Sequence, residues 1–508
     1  MAQLSLASVL AESARRRPQH PAIVCGDERV TYAELWTQAR GYAAALAERG
    51  VRPGDRVALM AGNVPDFPRA YYAILSLGAV VVPIHLLLTA EEVAFVLRDS
   101  EARVVVHGVG DPATAAKAAE LAGIPAVPLD PADPDSLVAA AARLAPTPGL
   151  VPTAPDDAAV VLYTSGTTGR PKGAILTHLN LTMNATVNAF DDLGVRGDDV
   201  ILGCLPLFHS FGQTAAMNTT FRAAATLVLQ PRFDPTQALE LMVAQAVTAF
   251  LGVPTMYIAL VDAARRGAPR PSLRLCVSGG ASLPVSLLEE VAEMFATTVY
   301  EGYGLSETSP VATTNQPTFG ARPGTVGCPV WGVDVEVARA DLEGRVELLP
   351  PGEIGEIVIR GHNVFAGYLG QPRATAEAIV DGWLRTGDLG MRDEAGFVTI
   401  VDRKKDLIIR GGFNVYPREV EEALLRHPAI AQVAVIGVPH PTHGEEVCAV
   451  VIPAAEVTAD EIVEWSREHL GRHMYPRRVE FVDQFPLGPS MKVLKRELRW
   501  HFAQDARP

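Results

Sequence analysis

From Asp55 to Asn188 the chain alternates short β-rich runs with amphipathic helical stretches, and no other feature narrows its fold as far. Val57–Met60 predicts a strand, Ala70–Leu77 a helix, Val80–Val82 a strand, Glu91–Arg98 a helix and Arg103–His107 a further strand. The pattern returns after Val200, with strands expected at Thr226–Gln230, Ala249–Gly252 and Arg274–Ser278. Strand–helix alternation predicts an α/β fold of mainly parallel sheets covered by helices. The Pro/Asp/Ala-rich stretch from Gly110 to Asp157 has weak periodicity and reads as including exposed connections. Past Ala321 the character changes, and glycine-separated strands at Glu353–Arg360, Gly396–Val401 and Leu407–Ile409 predict a small β-subdomain. A helix at Pro417–Arg426, opened by its proline and closed by His427-Pro428, precedes strands at Val433–Gly437 and Val447–Ile452. The expected organisation is a large domain over residues 1–404 and a small, mobile α+β domain over 405–508.

At 508 residues the chain exceeds one ordinary core, and 48% hydrophobic with 20% charged residues argues against disorder. The balance of 44 basic against 58 acidic residues, net −14, argues against generic nucleic-acid or anionic-membrane binding. An anionic substrate then has to be met by local positive groups. Cys25, Cys204, Cys276, Cys328 and Cys448 lack paired metal spacing and read as core thiols of a reducing compartment. The N-terminus lacks the charged start and long apolar run of a signal peptide. The most apolar stretch, Ala73 to Leu88, is broken by Gly78, Pro83 and His85, so no transmembrane segment is expected. The expectation is a soluble cytoplasmic protein.

Four segments carry chemistry. Tyr163-Thr-Ser-Gly-Thr-Thr-Gly-Arg-Pro-Lys-Gly173 follows the apolar strand Ala158–Leu162 and gathers three glycines, four hydroxyl residues and Lys172 in one turn. Glycines let backbone approach an anion, hydroxyls and N–H groups donate to it, and the lysine supplies charge. No GxxxxGK[ST] is present, so the P-loop kinase reading fails. Tyr300-Glu-Gly-Tyr-Gly-Leu-Ser-Glu-Thr-Ser-Pro310 sets Tyr303 between glycines, where its ring can face a flat heterocycle, and offers Glu307 as an oxygen ligand for Mg²⁺. Trp383-Leu-Arg-Thr-Gly-Asp-Leu-Gly390 places Asp388 in a tight turn, able to accept ribose hydroxyls. Asp402-Arg-Lys-Lys-Asp-Leu-Ile-Ile-Arg-Gly-Gly-Phe-Asn-Val-Tyr-Pro417 reads as a charged linker or a hinge. Taken singly, the second is balanced by a solvated surface turn, and the third by an everyday Gly-Asp turn.

In order and spacing together, from about Thr31 to about Arg499, these segments resemble the acyl-adenylate-forming superfamily of acyl-CoA synthetases, 4-coumarate ligases, luciferases and peptide-synthetase adenylation domains. The likeness is nearest to fatty-acyl-CoA and 4-coumarate-type ligases. It implies that Thr164, Ser165, Gly166, Thr167, Thr168 and Lys172 hold the ATP phosphates. Gly279, Gly280 and Ala281 would line one adenine face, Tyr303 the other, and Glu301 the adenine edge. Thr308 would touch phosphate, Glu307 the Mg²⁺, and Asp388 with Arg403 the ribose, while Lys405 falls at the hinge. Phe485-Pro-Leu-Gly-Pro-Ser-Met-Lys492 resembles the terminal loop whose lysine bridges carboxylate and α-phosphate, which makes Lys492 the adenylation lysine. The family usually has glycine where this chain has Met491; in a turn needing φ > 0 the methionine costs on the order of 1 kcal/mol or more.

The implied chemistry is acyl-AMP formation with loss of pyrophosphate, then transfer of the acyl group to the thiol of coenzyme A. In the second step a rotated small domain would bring Gly411 and Gly412 beside the pantetheine channel. The acyl pocket is expected to use Phe208, His209, Phe211, Met256, Gly302, Gly304, Pro310 and Val311. His209 is equally readable as a satisfied core histidine. No acidic residue sits beside Phe208 to hold an ammonium, and no arginine offers itself for a second carboxylate, so an apolar monoacid is expected. A medium- or long-chain fatty acid is the first reading and a cinnamic or benzoic acid the alternative. A carrier-protein acceptor, a homodimer, a luciferase-like oxidative enzyme and a catalytically impaired nucleotide-binding protein complete the set.

Overall fold

The computed structural model describes residues 3–108, 112–164, 170–488 and 493–504. It divides into two compact units, Met1–Val335 with Ile359–Leu384, and Glu336–Val358 with Arg385–Pro508.

The first unit holds two large sheets. One runs in the order Gly367–Tyr368, Lys172–Thr177, Ala158–Thr164, Val80–Pro83, Arg56–Met60, Val104–His107 and Ala126–Pro128. Its pairings are parallel from Ala158–Thr164 to Ala126–Pro128 and antiparallel at the other end. The second has nine strands, with six parallel neighbours running Val299–Gly304, Leu275–Gly279, Ala249–Gly252, Val200–Gly203, Thr226–Leu229 and Pro21–Cys25. Antiparallel strands close each edge. Val80–Pro83, Val104–His107 and Ala249–Gly252 are buried along their whole length, which is why they read as apolar runs rather than alternating ones. Buried Asn63 ties the sheets together: its amide donates to the Gly203 and Leu205 carbonyls and accepts from the Leu207 N–H. That contact fixes the start of the Leu205–Phe211 segment.

The exposed connections expected after Gly110 are present around residues 131–135 and 142–148, and regular elements lie beside them. The stretch after Gly110 contains the helix Pro112–Ala122, the strand Ala126–Pro128 and the helix Leu137–Ala141. Ala115, Ala118 and Ala119 pack the first helix into a core with Val93, Leu97 and Val105. An alanine-rich face forms helix readily but gives little contrast in hydrophobicity, so its periodicity is faint.

In the second unit, strands Phe413–Val415, Ile408–Arg410, Gly444–Pro453 and Ile430–His440 form an antiparallel sheet, with Arg478–Phe481 parallel to Gly444–Pro453. Alternate residues of the long hairpin serve two cores. Val435, Val447, Ala449 and Val451 meet helices Pro417–Leu424 and Ala459–His469, while Ala434, Ile436, Val438, Cys448 and Val450 meet Leu498 and Phe502 of the helix Lys495–Gln504. Period-two side-chain alternation is what makes one sheet cover both faces. Cys204, Cys276 and Cys448 are buried, Cys25 and Cys328 half-buried, and all are free thiols. Among the described residues no helix is long and apolar enough to cross a membrane.

Candidate active site

Four neighbouring parallel strands of the nine-stranded sheet end at Gly203, Gly252, Gly279 and Gly304. The carboxyl ends of parallel strands are where open α/β sheets hold ligands, because the chain there turns away and leaves a crevice. Every acyl-pocket residue expected from sequence, and Gly279–Ala281, lies on or just beyond these ends. Strand register sets Gly279 opposite Gly302 and Ser278 opposite Glu301. A Cβ on Gly279 would stand 3.2 Å from the ring tip of Phe211, so that glycine is what lets the phenyl ring lie against backbone. A Cβ on Gly304 would fall 1.8 Å from the Pro310 carbonyl oxygen, which makes glycine obligatory in this turn. Phe208 lies half-buried with its ring centroid 4.6 Å from that of His85, and Met256 is buried. His209 accepts from the Phe211 N–H at Nδ1, at 3.3 Å. The Ser210 and Ser306 hydroxyls lie 3.5 Å apart, joining the Leu205–Phe211 segment to the turn that carries Glu307.

Glu301 is buried, and its Oε1 accepts from the Leu283 N–H at 3.0 Å, pinning the turn that exposes Gly280 and Ala281. Gly280 has φ +81°, a conformation costly for any side chain. Tyr303, flanked by Gly302 and Gly304, is paired in register with Thr313. Thr308 is fully buried; its hydroxyl donates to the Pro310 carbonyl and accepts from the Leu305 N–H. It therefore shapes the turn around Glu307. Val311 is held from both sides, its carbonyl accepting amide protons from Asn184 and Asn363.

The charged centre of this unit is built around Glu307. Its Oε1 accepts from the Tyr368 hydroxyl at 2.9 Å and from the Thr164 hydroxyl at 3.4 Å. The Lys172 ammonium stands 5.1 Å from the centroid of the same Tyr368 ring. Thr164 and Lys172 are cross-strand partners, so the two ends of the glycine-rich turn are brought together by the sheet. Burial, and then the Glu307 charge, raise the Tyr368 hydroxyl above its ordinary range. Ser165, Gly166, Thr167 and Thr168 lie outside the described residues, as do Met491 and Lys492. Tyr368 escapes sequence reasoning because only strand pairing brings it to Lys172. The local signal is a tyrosine in the glycine-flanked segment Gly367-Tyr-Leu-Gly370.

In the second unit, Asp388 is buried to 3% exposure, with the Arg403 Nε 3.1 Å from its Oδ1 across the strand pair. Burial, and then Arg403, lower the pKa of Lys405. Gly411 and Gly412, at φ +57° and +84°, form the two-residue turn between Arg410 and Phe413. The Lys495 ammonium meets Glu421 Oε1 at 2.6 Å, and Arg499 pairs with Asp406 at 2.9 Å while its guanidinium donates to the Lys405 and Asp406 carbonyls. Sequence reasoning did not single out either contact. His440, His443 and Glu446 lie close enough to share a metal, but Glu446 is engaged by Arg410 and flanked by Arg477, a setting that opposes a cation.

The AMP-binding enzyme family matches residues 10–369, and the AMP-binding enzyme C-terminal domain matches residues 419–492. The feruloyl-CoA synthase of an Amycolatopsis species is 39% identical over 493 residues, covering 96% of this chain and 97% of the relative. The long-chain-fatty-acid–CoA ligase of Bacillus subtilis (strain 168) is 35% identical over 531 residues, covering 97% and 94%. The crystal structure of the anthranilate CoA ligase AuaEII in complex with anthranoyl-AMP superposes with a TM-score of 0.92 at 26% identity, over 99% of this chain and 98% of that one.

Proposed function

The chain belongs to the AMP-binding enzyme family, and from that premise we propose that it is an ATP-dependent acid–thiol ligase for an apolar monocarboxylic acid. The observation that carries the reading is the convergence of Lys172, Glu307 and Thr164 beside strand ends that also bear Phe208, Phe211 and Met256. Charged groups suited to a triphosphate and an apolar wall suited to an acyl or aryl group belong to one unit of the fold.

In the first step a carboxylate oxygen attacks the α-phosphorus of ATP, and the bond to pyrophosphate breaks. Two anions approach each other, so fixed positive charge in a poorly solvated cleft lowers the barrier. Lys172 is assigned to the phosphates and Lys492 to the carboxylate and α-phosphate. Thr164 to Thr168 are assigned as hydroxyl and backbone donors, and Thr308 as the residue that shapes the turn bearing Glu307. Gly279 to Ala281, Glu301 and Tyr303 are assigned to adenine, and Asp388 with Arg403 to ribose. In the second step the thiol of coenzyme A attacks the acyl carbonyl and AMP leaves. Gly411 and Gly412 are assigned to the pantetheine path and Lys405 to the hinge. The Glu307 carboxylate, oriented by two hydroxyl donors and neighbouring the Thr164 oxygen, is a hard-oxygen donor set that fits Mg²⁺. When bound there, Mg²⁺ would supply charge that offsets the phosphate anions.

The acyl group takes two forms. A fatty acid suits the apolar, small-residue segments around Gly302 and Gly304, and the B. subtilis relative acts on long-chain fatty acids by its name. An aryl acid is favoured by the two phenyl rings, Phe208 and Phe211, and by the 39% identical feruloyl-CoA synthase. The test is incubation with ATP, Mg²⁺, coenzyme A and a panel of aliphatic and aryl acids, with products read by mass spectrometry beside Lys492→Ala. AMP and one acyl-CoA series, lost in the variant, supports the assignment and selects the acid. Acyl-AMP without acyl-CoA moves the acceptor to a carrier protein. Oxygen consumption tied to the adenylate, or no pyrophosphate with any acid, overturns the ligase reading.

A further inference from the structure

We propose that Tyr368 is a spacer that keeps Lys172 and Glu307 apart, leaving the ammonium available to phosphate and the carboxylate to a divalent cation. The inference rests on the functional reading above and deepens it. Lys172 and Glu307 carry opposite charges on flexible side chains in one half-buried cluster. Left alone they would pair directly, and each would be neutralised before a ligand arrived. Among the described residues they form no ion pair; the Tyr368 phenol engages both instead. Its face takes the ammonium, as an aromatic quadrupole attracts a cation. Its hydroxyl takes Glu307 Oε1, at 2.9 Å.

Backbone contacts anchor the phenol to both partners. Tyr368 pairs with Ala174 on the strand that begins at Lys172, and the Leu369 N–H donates to the Gly173 carbonyl at 2.8 Å. Three residues upstream, the Phe365 N–H donates to the Glu307 carbonyl at 2.9 Å, and the Phe365 ring packs edge-on against the tyrosine at 4.8 Å. The Tyr368 N–H itself donates to the Thr375 hydroxyl at 2.9 Å. The ring is thus fixed relative to the strand of one charge and the turn of the other. Phenylalanine would retain the face and lose the donor, and leucine would lose both.

The test uses the full chain and reads ATP binding without turnover, by calorimetry across a Mg²⁺ series and by Mn²⁺ electron paramagnetic resonance with ATP. Tyr368→Phe, being nearly isosteric, carries the test. It is expected to raise the divalent concentration for half-maximal ATP binding about tenfold, the worth of one hydrogen bond to a charged group. ATP affinity at saturating metal should stay within about threefold of the parent, because Lys172 keeps its ring. Tyr368→Leu should weaken ATP binding even at saturating metal, and adding Glu307→Gln should restore part of the metal-free affinity. An unchanged metal dependence in Tyr368→Phe, while Glu307→Gln shifts it, overturns the spacer and leaves the ligase reading standing. If Glu307→Gln and Lys172→Ala both leave ATP and metal binding intact, the site assignment itself fails.

Discussion

Replacing Lys495 by methionine isolates one of the contacts that tie the C-terminal helix to the rest of the second unit, beside the Leu498 and Phe502 packing and the Arg499–Asp406 pair. The ammonium pairs with Glu421 at 2.6 Å, with side chains 22% and 18% exposed. Glu421 Oε1 also accepts from the Val435 N–H, and buried Asp402, which accepts from the Arg403 and Arg418 N–H groups, adds a second negative charge. Methionine keeps the stem's packing and removes the charge, so both carboxylates lose their cation. Breaking one side of a buried ion pair costs about 3–5 kcal/mol, and the remaining exposure places this case near the lower figure, about 3. At about 1.4 kcal/mol per decade this is roughly a hundredfold loss of protection against local opening. Hydrogen exchange by mass spectrometry on the full chain should report it in Lys495–Gln504 and Pro417–Leu424, with the first unit unaffected. Adding Glu421→Gln to the variant should recover part of the loss, as a double-mutant cycle requires for a direct pair.

The sign with pH is fixed by the same geometry. Glu421 and Asp402 outweigh burial and raise the pKa of Lys495 above its ordinary 10.5. A raised lysine pKa gives stability that is complete below the unfolded value and is lost as pH rises through the folded one. The gap between parent and variant should therefore persist up to pH 9, below 10.5, and narrow toward acid, where burial favours protonation of the Glu421 and Asp402 carboxylates left without their cation. A protection change under about threefold, or a coupling below about 0.5 kcal/mol in the cycle, would refute the reasoning.

Two further outcomes follow from backbone and burial. Gly412 stands at φ +84° with open space where a Cβ would go, so Gly412→Ala meets only backbone strain, on the order of 1 kcal/mol. Single-turnover assays should find thioester formation slowed severalfold and adenylation unchanged; equal loss in both steps would remove Gly412 from the pantetheine path. His178 is fully buried, accepts from the Leu6 N–H at Nδ1, and has its pKa lowered to about 4 by burial. A depressed histidine value gives stability that is present above 6.5 and is lost as pH falls toward 4, by up to about 1.4 kcal/mol per unit. Thermal melts at pH 7.5 and 5.0 should show a steeper acid loss in the parent than in His178→Gln, and parallel losses would rule this residue out.

Sequence reading reached furthest where a residue's role is set by its own chemistry or its near neighbours. The fully buried strands Val80–Pro83 and Ala249–Gly252 are visible as apolar runs because β-branching acts locally, whereas Gly411-Gly412, read within a linker or hinge, becomes a tight turn only once Arg410 pairs with Phe413. The helix Pro112–Ala122 was obscured by its own composition: alanine favours helix but leaves no apolar stripe to count. Asn63 was invisible for a different reason. An asparagine after a strand is an ordinary turn residue until the fold sets it against the Gly203 and Leu205 carbonyls of another sheet.

Thr308 draws that distinction inside the candidate site. Its place in the Ser-Glu-Thr segment marks it as a phosphate-contacting hydroxyl by resemblance, yet in this fold the hydroxyl is bonded to Leu305 and Pro310 within its own turn. The same turn leaves Glu307 beside Thr164 and Tyr368, whose backbone belongs to two other strands. A motif therefore marks where a site forms without dividing its labour. Which hydroxyl holds the turn and which meets a neighbour depends on strand pairings between segments far apart in the chain. Thr308→Val discriminates between the roles. If the hydroxyl acts through the turn, the loss should appear in the metal dependence of ATP binding, because Glu307 shifts with the turn. If it contacts phosphate directly, affinity should fall equally at every metal concentration.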